Sequence, residues 1–590
     1  MSPSRRLLAY LDRYRLRYAA GFGCLVLAAA FSLSIPWTVK SAVDALGRDG
    51  AAAGLGRYVL IIVALAAGHG LARLGSRFTI LGAGQWVEHD IRNDLYAHLQ
   101  TLPPAFYHRR RTGDLMSRAS SDISALRALA GFGSVMMVGT SLTFVGTVGA
   151  MWLIDPWLTL YAMAPFPFLI LIAKRFNQDV EVRSTAVQEQ MGALSAKVQE
   201  NLAGMPVVRA YTMEPREIVE FDRLNREYLR RSVRLARTQA VSWPLMGLIS
   251  GLGALIVLWL GGKAVVDGRI TLGAFVAFNG YLAHLAWPTI ALGWTLANIR
   301  RGIASMKRVT EILDTRPTAE LAEPRVPHLE QGRAARSPAV LPVGGIEFSG
   351  LTFAYEERSA ALQDVSFRVP EGAMVAVVGP TGSGKSTLGL LLVRLFEPPH
   401  GTVFVGGVDV RELPLEVLRR SVGYVPQEAF LFSRSLRDNV LLGDDGAGDD
   451  RLRAAAGAAG LTADVESFPR GWDTPVGERG LTLSGGQRQR AALARALASN
   501  PPYLVLDDVL ASVDAGKEWE ILRSLRGAVN GRTTLVMTHR LRAAQEADWV
   551  VVLDEGRVVE QGRHGDLLAA GRLYARLWRV QQLEDELERV

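Results

Sequence analysis

The sequence predicts two unlike halves: an α-helical transmembrane domain of about six spans with long cytoplasmic helical hairpins, then an α/β phosphate-loop domain. Three observations carry this. Apolar residues make up 49% of the 590-residue chain but concentrate before residue 300, in runs long enough to cross a bilayer. Short connections between those runs alternate with long, arginine-rich ones. Past residue 345 the pattern changes to short apolar strands, and the strand 374–378 leads into Gly379-Pro380-Thr381-Gly382-Ser383-Gly384-Lys385-Ser386-Thr387.

In chain order, residues 4–17 place Arg against Leu and Tyr at helical spacing, as in an amphipathic helix on the inner membrane surface. The run 18–39 is an uncleaved first span, because apolar sequence continues past the small residues Ala28-Ala29-Ala30 and further spans follow. Those spans are expected near 58–81, 129–154, 157–176, 240–266 and 272–299. The arginine-rich connections place both termini in the cytoplasm of a multi-pass protein of the cell's inner (plasma) membrane. Val87, Ile91, Leu95, Leu99 and Leu102 recur at helical spacing, so the second span runs on as a helix until Pro103-Pro104 stops it. A second excursion, 177–239, breaks at Gly204-Met205-Pro206 and at Glu214-Pro215. Each excursion reads as a hairpin whose tip, near 112–115 or 207–211, touches a soluble domain near Gln427 and Glu478.

Prolines 317, 324, 327, 338 and 342 without apolar pattern make 314–345 a linker between a membrane domain (1–313) and a soluble domain (346–580). The remainder, 581–590, reads as a charged, solvated tail that begins as a helix near Trp578. The net charge of +8 is assigned to basic residues flanking the spans rather than to a nucleic-acid partner. The single cysteine, Cys24, excludes an internal disulfide framework. Within the second span His69, Arg73 and Arg77 share one helix face. At about 1.5 Å per residue, His69 lies near mid-bilayer and Arg77 near the inner boundary, where it can snorkel. His69 and Arg73 are expected to face a cavity.

The phosphate loop explains itself chemically. Glycines let backbone N–H groups close around phosphate oxygens, the following helix adds partial positive charge, and Lys385 adds a full one. Ser386 has the hydroxyl that Mg²⁺ requires. The nucleotide expected is ATP.

The motifs that follow bring the chain to a family. Tyr355, Gln427 in Tyr424-Val425-Pro426-Gln427, Leu483-Ser484-Gly485-Gly486-Gln487, Tyr503-Leu504-Val505-Leu506-Asp507-Asp508, Ala511-Ser512-Val513-Asp514 and Thr538-His539-Arg540 occur in this order. Together with the spans they resemble an ATP-binding-cassette (ABC) transporter half of the exporter type, over essentially the whole chain. The resemblance implies that Tyr355 stacks under adenine and that 379–387 holds the phosphates, with Thr381, Gly382, Ser383, Gly384, Lys385 and Thr387 among the contacts. It implies that Ser386, Asp507 and Gln427 organise Mg²⁺ and that His539 contacts the γ-phosphate. Ser484, Gly485, Gly486 and Gln487 form the signature that acts on ATP held by a partner chain, with Asp514 in the loop between subunits. Thr474-Pro475-Val476-Gly477-Glu478-Arg479-Gly480 resembles the exporter loop that contacts the hairpins.

Most of the family carries glutamate where this chain has Asp508, the residue that polarises the attacking water. Aspartate is one methylene shorter, and a misplacement of about 1 Å costs roughly 100-fold in rate. The resemblance therefore implies the impaired-site half of a heterodimeric exporter of hydrophobic or amphipathic cargo, its partner a second half-transporter carrying glutamate. A homodimeric exporter, an ATP-gated channel or regulator with little turnover, and a soluble cassette ATPase acting on DNA are the alternatives. The spans argue against the last.

Overall fold

The computed structural model describes residues 2–49, 54–316, 343–355, 359–442, 448–477, 480, 482–509, 527 and 531–587. Two compact units result: Met1–Gln100 with Arg110–Arg316, and Thr101–Arg109 with Pro317–Val590. Linker residues 317–342, with all five prolines, lie outside the described residues.

The first unit is entirely helical among its described residues. Helix α1 (Pro3–Asp12) is amphipathic, with Leu7 and Tyr10 buried. Its polar atoms reach the inner part of the second span: Tyr10 donates to Asp94 (2.8 Å), and Arg13 just beyond it pairs with Asp90 (3.1 Å). Helix α2 (Arg15–Asp49) and helix α3 (Leu55–Thr101) follow. At 47 residues α3 is roughly 70 Å long, more than twice a hydrocarbon core of about 30 Å, so it must project far beyond the bilayer. Val87, Ile91 and Leu95 are buried on that projection, as their spacing requires.

Among the described residues, Arg15–Arg48, Leu55–Thr101 and Thr112–Ile154 are each long and apolar enough to cross a membrane. The last ends in α4 (Ser134–Ile154). Of the other expected spans, 157–176 and 240–266 are helical with interruptions, and 272–299 lies in one continuous helix. Pro165 separates Pro156–Met163 from α5 (Phe166–Ala203), because a proline cannot continue the first helix's bonding but suits the first turn of the next. A short tip helix α6 (Met205–Ala210) turns the chain into α7 (Glu214–Ile256), whose Pro215 sits in the first turn, and α8 (Leu272–Leu313) closes the unit. A buried polar knot fixes α8 to 118–122: Asp122 accepts from Ser305 (3.0 Å) and from Arg308 Nε (2.8 Å), and Arg118 donates to the Arg308 carbonyl (2.7 Å).

The second unit holds two sheets. An antiparallel sheet orders β1 (Ile346–Ala354), β2 (Ala360–Val369), β4 (Val403–Val405) and β5 (Val408–Asp409) as β2-β1-β4-β5. The larger sheet orders β3 (Met374–Val378), β6 (Val422–Val425), β7 (Tyr503–Asp507), β8 (Thr533–Met537), β9 (Trp549–Asp554) and β10 (Arg557–Gly562) as β10-β9-β3-β8-β7-β6. All its pairings are parallel except β9 with β10. Strands buried on both faces read as continuous apolar runs, which is why Tyr503–Asp507 is apolar until its last residue and buried throughout. Each such Leu or Val contributes roughly 1.5–3 kcal/mol. Helix α9 (Lys385–Leu392) follows β3 and begins within the phosphate loop itself. Helix α10 (Gly485–Ala498) packs in a separate apolar cluster with 436–467. The C-terminal helix α11 (Leu573–Leu587) is not merely solvated: Leu577 and Trp578 pack on the core, and Gln581 accepts the amide of Leu541 at 2.7 Å.

The short helix Pro104–Arg109 also belongs to this second unit, with His108 stacked on Phe396 at 5.9 Å between ring centroids. The expected tip 112–115 belongs to the first unit. Glu478, the expected docking point for the tips, lies outside the described residues.

Candidate nucleotide site

A parallel sheet delivers whatever follows each strand to the same edge, where ligands of such sheets bind. Here β3 delivers the phosphate loop, β6 delivers Gln427, β7 delivers Asp507 and Asp508, and β8 delivers Thr538 and His539. Residues far apart in sequence are thus neighbours by topology alone.

Loop shape depends on glycine at two positions. Gly379 has φ +155° and a Cβ there would lie 2.0 Å from the Leu553 carbonyl oxygen; Gly384 has φ +100°, with the Ala361 carbonyl 2.6 Å from such a Cβ. Between them Thr381, Gly382 and Ser383 form the turn, Ser383 donating its amide to the Pro380 carbonyl. Lys385 Nζ folds back over the loop and donates to the carbonyls of Gly379 and Pro380, both at 2.8 Å. Burial pushes the lysine below its ordinary pKa, against the charges of Asp508 and Asp507, and a nearby anion such as a phosphate would oppose that shift.

Ser386 Oγ donates to Asp507 Oδ1 at 2.9 Å. Burial raises the pKa of Asp507, the serine bond lowers it, and nearby Asp508 raises it again, for a net rise. A buried carboxylate paired with a hydroxyl is a donor set of hard oxygens, which fits Mg²⁺: that ion commonly takes one or two protein oxygens and completes its shell with water and phosphate.

Asp508 has φ +49°, a left-handed conformation that aspartate tolerates better than most side chains. Its amide donates to the Met537 carbonyl at 2.7 Å. Its Oδ2 contacts His539 Nδ1 at 2.8 Å, and its Oδ1 accepts from Thr538 at 3.3 Å. Burial pushes this carboxyl up, but the hydrogen bond and charge of His539 outweigh it and hold Asp508 below the ordinary range. Conversely the bond to Asp508 raises His539, burial opposing it. The imidazole is half-exposed, while the carboxylate beneath it is only 9% exposed. Thr538 is the member of this group that motif reading passes over, though it adjoins His539.

Gln427 is exposed in the bend after β6. Tyr355 follows β1; its hydroxyl donates to Thr387 at 3.1 Å, and its ring stands edge-on to Phe353 and Phe396, both at 5.1 Å. Ser484 caps α10: its hydroxyl accepts the Gln487 amide (3.2 Å), and the Gln487 side chain accepts the Ser484 amide (2.9 Å). This reciprocal capping box leaves the amides of Gly485 and Gly486 at the open end of a helix, the arrangement that attracts anions. Asp514 lies outside the described residues.

Comparisons with known proteins agree with this geometry. A family model described as the ABC transporter transmembrane region matches residues 18–289, and one described as ABC transporter matches 362–511. A probable multidrug resistance ABC transporter ATP-binding/permease protein, YheI of Bacillus subtilis, is 34% identical, covering 99% of this chain and 98% of its own length. An ATP-dependent lipid A-core flippase of Syntrophus aciditrophicus is 32% identical, covering 100% and 96%. A solved bacterial Atm1-family ABC exporter with ATP bound superposes with a TM-score of 0.77 at 28% identity, covering 96% of this chain and 99% of its own. With a phosphate loop, a signature helix and the strand-end carboxylates fused behind a helical membrane unit, the chain belongs to the ABC transporter family, among the exporters that couple ATP hydrolysis to transport.

Proposed function

We propose that this chain is the impaired-site half of a heterodimeric exporter that moves hydrophobic or amphipathic cargo outward across the plasma membrane. In this reading residues 1–313 form the membrane domain, 314–345 the linker, 346–580 the ATPase domain and 581–590 the tail, with the ATPase domain and both termini in the cytoplasm. The observation supporting a second chain is the separation of half-sites. The phosphate loop caps the sheet, whereas the signature opens a helix in a different apolar cluster, so each needs a complement from elsewhere.

Lys385 and the loop amides bind the phosphates, Ser386 and Asp507 hold Mg²⁺, Gln427 orients water, and His539 meets the γ-phosphate. Mg²⁺ supplies neutralisation of charge on the phosphate oxygens. Asp508 is the weak member. Its carboxylate is short, nearly buried, and already bonded through both oxygens to His539 and Thr538. A base so engaged positions water poorly, which supports slow hydrolysis at this chain's own loop. Asp508 equally suits an ATP-gated regulator with little turnover; ATPase stimulated by cargo in the assembled complex separates the two.

The direct test is purification from the native membrane with mass measurement of what accompanies the chain. A second chain of similar size with glutamate after its strand aspartate is the expected result. A single species that hydrolyses ATP at full rate sinks the heterodimer.

A further inference from the structure

A cavity of about 230 Å³ opens among α2, α3, α4 and α8 inside the membrane unit. His69, Arg73 and Arg77 of α3 line it together with His284 of α8. Phe132 and Met136 supply part of the apolar wall. No Asp or Glu is among the lining residues. Among the described residues neither guanidinium has a hydrogen-bond or ion-pair partner. Arg77, expected to snorkel to the interface, lines the same cavity as Arg73.

Cations at such depth are costly without a counter-charge, and protein carboxylates do not provide one here. We infer that this cavity binds the oxyanion head of an anionic amphiphile — phosphate, sulfate or carboxylate on an apolar tail — with Arg73 and Arg77 as its principal contacts. Planar guanidinium groups suit bidentate binding of phosphate and carboxylate. The volume falls below the roughly 300–1,000 Å³ of pockets that enclose a drug-sized molecule, so it accommodates a head group while the tail lies along apolar helix faces. This assignment rests on the exporter reading and names its cargo class.

The test uses the complete transporter in a non-ionic detergent, with dodecyl phosphate, dodecylphosphocholine and inorganic phosphate as probes. Dodecyl phosphate is expected to bind and to stimulate ATPase. The zwitterion, with the same tail, is expected to bind at least about tenfold more weakly, and inorganic phosphate alone not to compete at millimolar concentration. Arg73→Ala and Arg77→Ala are each expected to weaken dodecyl phosphate about tenfold or more, as for loss of a charged hydrogen bond, while Arg73→Lys, which keeps the charge but not the bidentate fork, falls between Ala and the unsubstituted chain. Because neither guanidinium is paired, Arg73→Gln should unfold no earlier than the unsubstituted chain and serves as the folding control.

In phosphatidylcholine nanodiscs, competition by added phosphatidylglycerol identifies a bilayer lipid as the natural source; absence of competition identifies a freely diffusing amphiphile. Equal binding of dodecyl phosphate by the Arg73 and Arg77 variants overturns the site, as does inorganic phosphate competing as well as the amphiphile. If the unsubstituted complex answers anion and zwitterion alike, only the anion site falls. If no amphiphile changes its ATPase at all, the exporter reading falls with it.

Discussion

Two substitutions in this one chain strike different composite sites if its partner is a different protein. Asp508→Asn alters the site on this chain's own phosphate loop. Gly485→Asp alters the site on the partner's loop, which this chain's signature completes. General-base assistance is worth roughly 10²–10⁴-fold, so a site lacking it contributes about 1% or less of total turnover. Removing the Asp508 carboxylate, already bonded to His539 and Thr538, should then lower steady-state ATPase by less than about threefold. At Gly485 a new carboxylate enters the first turn of α10 beside the capping serine. About 4 Å from a phosphate charge, at an effective dielectric of about 20, its repulsion is about 4 kcal/mol, which corresponds to roughly 10³-fold in binding. Turnover should nearly vanish. The assay is phosphate release by the assembled complex at saturating Mg-ATP, with size-exclusion and thermal unfolding to show that both variants assemble. Near-complete loss from Asp508→Asn, matching that from Gly485→Asp, would falsify the heterodimer account and make Asp508 the working base of a homodimer.

Other expectations follow from single contacts. Gly379→Ala should abolish ATP binding or folding, because its Cβ meets the Leu553 carbonyl at 2.0 Å, whereas Gly382→Ala meets nothing within 4 Å and should cost only about 1–2 kcal/mol of backbone strain in thermal unfolding. The Asp508–His539 pair stabilises most where both are charged. The raised histidine gives up its contribution as pH climbs through its folded pKa, above the ordinary 6.5, and the lowered aspartate gives up its own as pH falls through a folded value below 3.8. Thermal unfolding of the full chain should therefore decline on the alkaline side, and Asp508→Asn should shift the onset of that decline toward the ordinary histidine value; superimposable profiles exclude the pair. Tyr211, 73% exposed beside the tip helix α6, is expected to carry force rather than stability. Tyr211→Ala should lower transport more than nucleotide binding, and equal loss of both would show a merely unfolded chain.

What is legible in the sequence is local. The phosphate loop requires glycines at fixed spacing between a strand and a helix, so position alone assigns Gly379 and Gly384 their backbone conformation. Strand ends are legible for a similar reason: a buried run that finishes in Asp507-Asp508 or Thr538-His539 places polar groups at the sheet edge. Long-range partners are not. Nothing in the spacing of α3 says that His284, more than 200 residues later, lines the same cavity as Arg73. Nor does it say that Arg77 lines that cavity, since a residue near the boundary can satisfy its charge either way. Nor does local spacing announce that His108 packs against Phe396, far along the chain.

That last contact, which lies within the second unit, adjoins the nucleotide site. Thr387 lies on α9, immediately behind the phosphate loop, and accepts the Tyr355 hydroxyl. The Tyr355 ring stands edge-on to Phe396, and Phe396 carries the stacked ring of His108. Aromatic pairs of this kind hold definite angles and are worth about 0.5–1.5 kcal/mol beyond burial, enough to bias an element with two arrangements but too little to hold a strained one. Adjacency alone is not coupling, which requires that both ends prefer the same arrangement. Tyr355 meets that condition in its chemistry: the ring expected to stack on adenine is the ring that Phe396 abuts. Moving it to accept a base must either carry Phe396 and His108 along or break their contact.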